Sequence, residues 1–336
     1  MQHPSSEIRT RSVPNCELCG TRGQILYENL ADFLFGSSGR WTLKKCPDLN
    51  CGLLWLDPVP LIEDIHLAYQ QYFTHGSTDG NVQSGFRFRE VLYRAYRGLN
   101  WITAALFGGK ESKCQMANMF LDGIQPGKLL DVGCGDGKFL NRMRGRGWAV
   151  DGIDFDPKAI ANARIRYGLE LRIGDLHSAA FPDGTFEAVT LSHVIEHVPT
   201  PIGLLKEVRR ILKPNGRIVV TTPNSGSFGH DKYKAHWFGL DPPRHLQIFS
   251  VNTLRNCALR AGIRVLESTS SAANADIFLG ASESISLAAM RSGNSKPGAG
   301  INVLRGIQAL RGQRREIREL RSNPAKGEEA ILIGTT

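Results

Sequence analysis

The 336-residue chain contains no run of about 18 or more apolar residues, so no membrane-spanning helix is expected. Its opening stretch, MQHPSSEIRTRSVPNC, has no apolar core of the secretory type, which argues against export and for a cytoplasmic protein. No G-K-[ST] follows any of its glycine turns, which excludes the phosphate loop of nucleoside triphosphatases. Negative charge is the scarcer sign: 32 Asp and Glu face 41 Lys and Arg, a formal net charge of +9. Such an excess attracts nucleic acid, anionic lipid or phosphorylated compounds. Much of it is concentrated between Arg305 and Arg321, where six Arg stand against Glu316 and Glu319, so net charge says little about the remainder.

What the chain does have is cysteine in one place. Four of its seven Cys fall in the first 51 residues, as Cys16-Glu-Leu-Cys19-Gly20 and Cys46-Pro-Asp-Leu-Asn-Cys51-Gly52. Without an export signal, two such pairs point to metal rather than to disulfides. Four thiolates suit tetrahedral Zn²⁺ with a structural role, and a Gly-rich segment this short would draw its folding energy from the metal. Residues 1–60 are therefore expected to form a zinc-ribbon-like module with Cys16, Cys19, Cys46 and Cys51 as ligands. Residues 61–122 read as a helical linker or cap, with Ile65, Ala68, Tyr69 and Tyr72, then Val91, Leu92, Ala95, Leu99 and Ile102, at helix spacing.

The stretch from Lys128 to Pro157 carries the densest chemistry. Leu129-Leu-Asp131-Val132 reads as a buried strand, and Gly133, Gly135 and Gly137 form a turn into a helix. Glycines there let backbone amides approach a ligand at a helix N-terminus. The spacing is not the longer G-x-G-x-x-G of dinucleotide domains. A second strand, Ala149–Ile153, delivers Asp154 at its end, where a carboxylate can receive both hydroxyls of a ribose. Phe155 follows directly.

These residues resemble the class I S-adenosylmethionine (SAM)-dependent methyltransferases. Asp131-Val-Gly133-Cys134-Gly135-Asp-Gly137 matches the family's acid-x-Gly-x-Gly-x-Gly loop, Gly174-Asp175-Leu176 matches the acid beside the adenine, and Phe181–Ser192 and Lys213–Thr222 match the fourth and fifth strand regions. The resemblance implies an α/β, Rossmann-like core of seven strands over residues 123–270, a helical basic insertion over 271–327, and a last strand over 328–336. It implies SAM held by Asp131, Gly133, Cys134, Gly135, Gly137, Asp154, Phe155, Asp175, Leu176 and Ser192. Among the superfamily, the chain looks most like members with an N-terminal Cys-pair ribbon, which act on sugars and other small molecules.

His193-Val-Ile-Glu196-His197 spells the H-x-x-E-H of a zinc-peptidase family. Pro199 and Pro201 follow almost at once, so the helix such a site needs cannot continue. Its position after the fourth strand instead puts His193, Glu196 and His197 beside the cofactor loop, with Glu196 and His197 expected to buttress it and His193 expected to touch the acceptor. Whether these three residues bind a metal is left open at this stage. Residues 222–250, rich in Gly, Pro, His and aromatics, read as an active-site cover. Within them Pro243-Arg244-His245-Leu resembles a Pro-x-His-Leu element of the ribbon-bearing relatives. His245 is the first candidate for a general base, His193 the second, and Arg244 a candidate partner for a substrate phosphate or carboxylate. Residues 301–321, with Ile301, Leu304, Ile307, Leu310, Ile317 and Leu320 at helix spacing, read as an amphipathic helix that packs on the core or a second subunit, or makes peripheral contact with a lipid surface. The expectation is thus a SAM-dependent methyltransferase with structural zinc, acting on a small molecule such as a saccharide or nucleotide sugar. RNA methylation through the ribbon, or SAM binding without catalysis, stand as alternatives. Nucleic acid is disfavoured, because basic residues and aromatics do not interleave on the ribbon.

Overall fold

The computed structural model describes residues 7–69, 110–290 and 303–336. Of the linker residues named above, Tyr72, Val91, Leu92, Ala95, Leu99 and Ile102 lie outside this range, as does Ile301. The described chain begins with five short strands: β1 (Thr10–Arg11), β2 (Gln24–Leu30), β3 (Trp41–Lys45), β4 (Leu54–Leu56) and β5 (Val59–Pro60). After α1 (Lys110–Ala117) come β6 (Lys128–Val132), α2 (Lys138–Arg144), β7 (Ala149–Asp154), α3 (Pro157–Tyr167), β8 (Arg172–Ile173), β9 (Phe186–Ser192), α4 (Pro201–Ile211) and β10 (Leu212–Pro223). The remainder is α5 (Phe228–Tyr233), β11 (Gln247–Ile248), α6 (Val251–Arg260), β12 (Arg264–Ser271), α7 (Ala275–Met290), α8 (Val303–Glu319) and β13 (Glu329–Thr335).

Seven strands form one sheet in the order β12-β13-β10-β9-β6-β7-β8, with β13 antiparallel to both neighbours and the other pairings parallel. Its central strands are covered on both faces, which is why Leu129, Leu130 and Val132 of β6, and Ala188, Val189 and Leu191 of β9, are all buried with no polar alternation. Helix starts and stops follow local chemistry. Asp156 caps α3 by accepting the amide of Lys158 at 2.8 Å with Pro157 in the first turn, and Gly168 ends it at φ 62°. The chain leaves β6 toward β7 on one side and β9 toward β10 on the other. The ligand crevice of such a sheet lies outside the carboxyl ends of those diverging strands.

The N-terminal module is not independent of this core. β11, from the second half of the chain, pairs with β4 and completes a four-stranded sheet in the order β11-β4-β3-β2. Thr253 of α6 donates to the Cys51 carbonyl at 2.5 Å, and Asn256 to the Asn50 carbonyl at 2.7 Å. Leu18, Leu53 and Trp55 share one apolar cluster with Phe249, Leu254 and Cys257. The stretch expected to be an active-site cover over 222–250 is largely interior: Trp237, Leu240, Asp241 and 242–249 are buried.

The insertion is helical as expected, and α7 and α8 pack together. A Cβ on Gly312 would come within 2.6 Å of Leu279, so glycine permits the close crossing. Gln313 donates to the carbonyls of Ala272 and Ala273, both at 3.0 Å. Glu316 is fully buried; its Oε1 accepts the amide of Glu328 at 2.8 Å, whereas Oε2 has no hydrogen-bond partner. Among the described residues of 301–321, then, the face bearing Gln313 and Glu316 packs inward, with Ile317 and Leu320 half-buried against Ala272, Ala275 and Leu279. No helix among the described residues is long and apolar enough to cross a membrane.

Burial, and after it the charge of Glu328, raises the Glu316 carboxyl well above the ordinary carboxylate range. A carboxyl raised on folding binds its proton more tightly in the native state, so its stabilisation is complete below the unfolded value near ~4.3 and is lost as pH rises above it. Glu316→Gln removes that penalty. Urea denaturation at pH 5 and pH 8 should show the variant gaining on the wild type as pH rises, by at least about 1 kcal/mol at pH 8.

Candidate active site and zinc centre

The glycine loop follows β6 and is folded back on β7. Gly133 and Cys134 donate to the Ile153 carbonyl at 2.8 and 3.1 Å. Gly135 donates to Asp154 Oδ2 at 2.8 Å, while Oδ1 accepts the amide of Asp156 at 2.9 Å. Gly133, Gly135 and Gly137 have φ of 72°, 53° and 72°, all in the left-handed region. At Gly133 a Cβ would also stand 2.4 Å from Val194 Cγ2, so the loop and the segment after β9 are in direct contact. Beneath the loop, buried Asp131 accepts from Thr190 Oγ1 at 2.6 Å, and burial lifts its carboxyl to about 7.

The other expected cofactor residues occupy the same edge of the sheet. Phe155 is 71% exposed beside Asp154, an apolar face open to a planar ligand. Asp175 is exposed, and its Oδ1 accepts the amide of Ser178 at 2.7 Å in a tight turn. Ser192 ends β9 exposed, accepting from Thr221 Oγ1 at 3.2 Å. Leu176 and Cys134 are buried in the apolar core, so any contribution from them to a ligand comes through backbone.

The pentapeptide after β9 divides. Ile195–His197 is a single 3-10 turn, far short of a peptidase helix. His193, at φ 55°, turns toward the last strand: Nε2 lies 2.8 Å from Glu329 Oε1 and Nδ1 lies 3.2 Å from Glu196 Oε1. Although burial opposes it, these two carboxylates hold the His193 ring protonated to about 10. Nε2 is thus committed to Glu329 and the ring is cationic beside Glu196, so His193 is not a free base. Glu196 is fully buried and accepts from Thr222 Oγ1 at 2.9 Å. His197 turns the other way, its Nδ1 3.0 Å from the Arg244 carbonyl and 3.1 Å from Tyr69 Oη.

His245 sits against His197, with ring centroids 4.7 Å apart, and its Nδ1 is 2.8 Å from the Gly239 carbonyl. Burial, and then the neighbouring His197, lowers it to about 4. A buried imidazole that weakly basic is a poor acceptor for an alcohol proton near neutrality, which counts against the expected base. Arg244 is also not a ligand for substrate. It is completely buried, forked onto Asp241 at 2.5 and 2.9 Å, and reaches Asp32 Oδ2 at 2.8 Å and the Ala68 carbonyl at 2.9 Å.

The four N-terminal cysteines converge as their spacing suggests. Their Sγ atoms all lie within 4.8 Å of one another, Cys16 and Cys51 at 3.5 Å, and Cys19 and Cys46 at 3.4 Å, with none in a disulfide. A zinc tetrahedron with Zn–S near ~2.3 Å needs S···S edges of roughly 3.8 Å. The cluster fits that ion after a small expansion, and these four thiolates would hold it.

A sheet of this order, with a glycine loop bent onto a carboxylate at the end of the next strand, is the arrangement expected of a class I SAM-dependent methyltransferase domain. Residues 113–268 match the family described as a methyltransferase domain. Among curated proteins, the chain is 38% identical over 104 residues to a ubiquinone biosynthesis O-methyltransferase of Thiobacillus denitrificans, covering 29% of this chain and 44% of that protein. It is 33% identical over 104 residues to the protein of the same name from Aeromonas salmonicida, covering 29% and 43%. The match spans less than half the length of these relatives. Among solved structures, a SAM-dependent methyltransferase from Archaeoglobus fulgidus aligns over 70% of this chain and 99% of its own, at 17% identity and a TM-score of 0.44.

Sequence reasoning did not find Glu329, Asn274, Thr222 or Tyr69. Asn274 donates to Glu329 Oε2 at 2.8 Å, completing the setting of His193. One signal was present: Glu328-Glu329 stands at the mouth of an apolar strand, and two buried acids there demand partners.

Arg244→Met should leave Asp241 and Asp32 as uncompensated buried carboxylates. The expected loss is about 3–5 kcal/mol of stability in urea denaturation. For the zinc centre, elemental analysis should find about one zinc per chain, and Cys46→Ser should lose it together with thermal stability.

Proposed function

We propose that the chain transfers the methyl group of SAM to a small-molecule acceptor in the crevice outside the carboxyl ends of β6 and β9. The observation that supports this most is the glycine loop closed onto Asp154 within a methyltransferase-family segment. Bound SAM would supply an electrophilic sulfonium methyl. The chain's own part is to hold and orient it. Asp154 keeps lone pairs free for the ribose hydroxyls, the amides of 133–137 line the methionine side, and Phe155, Asp175 and the backbone at Leu176 flank the adenine. Asp131 braces the loop from beneath through Thr190.

For the acceptor, the relatives' names favour a hydroxyl oxygen, and the ribbon-bearing resemblance favours a saccharide or nucleotide sugar. The acceptor's proton does not go to a free histidine. His193 is a charged strut between two glutamates, and His245 is buried with its Nδ1 committed to a carbonyl. A hydroxyl that is already acidic, or one acidified by a bound cation, fits such a site better than an unactivated alcohol.

Calorimetry should give micromolar binding of S-adenosylhomocysteine, about −8 kcal/mol, with Asp154→Ala weakening it tenfold or more. Unchanged affinity in the variant would remove the cofactor assignment. Incubation with labelled SAM and fractions of metabolites, saccharides and RNA should place label in a small-molecule fraction; label in RNA alone would favour the ribbon as an RNA-binding module.

A further inference from the structure

The segment after β9 and the element before β11 bring Glu196, His197 and His245 together. One ligating atom from each lies within 4.8 Å of the others. The orientation of both histidines is fixed from outside the cluster. Nδ1 of His197 is 3.0 Å from the Arg244 carbonyl, and Nδ1 of His245 is 2.8 Å from the Gly239 carbonyl. A carbonyl only accepts, so Nδ1 carries the hydrogen in each ring and Nε2 is left as a lone pair. Metal-ligating histidines are held in this way, with the far N–H donated to a backbone carbonyl.

The third member is equally prepared. Glu196 Oε2 accepts from Thr222 Oγ1 at 2.9 Å, whereas Oε1 is buried without a hydrogen bond. The His193 ring approaches Oε1 to 3.2 Å but is misaligned for one. Two imidazole lone pairs and a carboxylate oxygen, all hydrogen-bond acceptors, therefore lie together between buried Glu196 and His245 and half-buried His197. Acceptors facing one another repel unless a cation lies between them.

We propose that Glu196, His197 and His245 form a second metal site, separate from the four-cysteine centre, that takes a divalent first-row transition cation such as Mn²⁺, Fe²⁺, Co²⁺ or Zn²⁺. Two nitrogens and one oxygen favour that class over Mg²⁺ and Ca²⁺, which prefer all-oxygen shells. His193 stands outside the cluster, its Nε2 2.8 Å from Glu329 Oε1. Three protein ligands leave coordination positions open, which is the pattern of reactive rather than structural sites. The site lies at the carboxyl edge of β9, next to the segment where Val194 touches the glycine loop.

The test needs neither acceptor nor SAM, so it stands or falls apart from the methyl-transfer reading. Protein retaining its ribbon zinc is titrated with Co²⁺ and, separately, Mn²⁺. One additional ion per chain is expected. For Co²⁺ the spectrum should show visible d–d bands without the near-ultraviolet thiolate charge transfer that exchange into the cysteine centre would produce. Pulsed EPR of the Mn²⁺ form should show coupling to two imidazole nitrogens, a readout on unmodified protein. Glu196→Gln and His197→Gln should weaken the second ion by 100-fold or more while zinc stays at one per chain, and Thr222→Val should weaken it by about tenfold through the carboxylate it orients. No second ion in the wild type, a second ion without two nitrogen couplings, or unchanged affinity in the zinc-retaining variants would each overturn the proposal.

Discussion

Arg244 joins three stretches that are far apart in sequence, and the geometry at the carboxyl edge of β9 depends on it. Its guanidinium forks onto Asp241 three residues before it, reaches Asp32 in the turn after β2, and caps the Ala68 carbonyl in the segment following β5. Moving such a cation from water into a site with no exposed surface costs several kcal/mol, and only a nearly complete set of partners offsets that. The planar fork supplies the direction that a lysine could not. Once it is set, the backbone of the next residues has little choice. The Leu246 carbonyl receives the amide of Leu56 at 3.1 Å, and the Leu246 amide donates to the Glu196 carbonyl at 2.8 Å. The N-terminal sheet is thereby hydrogen-bonded through Leu246 to the turn that follows β9.

The same connection explains why a cysteine ribbon matters to a methyltransferase domain. A segment of about sixty residues buries too little apolar surface to fold alone, and thiolate ligation makes up the difference. Trp55, one strand from the ligands, donates its indole N–H to the Val13 carbonyl at 2.8 Å and packs in the cluster that includes Phe249 and Val251. β11 is added to the ribbon's sheet as an edge strand next to β4. His245, two residues before β11, is consequently held next to a strand that pairs with the ribbon's sheet. Folding energy supplied at the cysteines reaches the crevice along this path.

Much of the core was legible because its signals are local. A continuous apolar run before glycines, an acid at the end of the following strand, and Pro or Gly at helix ends each depend on neighbours a few residues away, and the glycine loop, Asp154 and the four cysteines stand where spacing put them. The roles of His193, Arg244 and His245 were misread for the opposite reason. Partners of all three lie far away in sequence, Glu329 for His193, Asp32 for Arg244 and His197 for His245, and no periodicity reports such contacts. Residues 222–250 read as an active-site cover because their composition is that of a loop. Their burial comes from the ribbon sheet, which composition does not register.

The pentapeptide from His193 to His197 shows how a chain separates chemically similar groups by backbone geometry. A left-handed residue at φ 55° reverses the direction of the His193 side chain relative to the turn that carries Glu196 and His197. His193 then meets Glu329 of β13, an antiparallel strand whose register with β10 sets Glu329 opposite Pro223, just past Thr222. Thr222 in turn holds Glu196. One ring lies between two carboxylates and the other turns to the Arg244 carbonyl and stacks edge-on against His245, although four residues separate them. Because Glu196 contacts His193 on one side and lies beside His197 and His245 on the other, the two groups of side chains share a single carboxylate. A change at Glu329 would therefore be felt at His197 and His245 through Glu196, without touching either histidine directly.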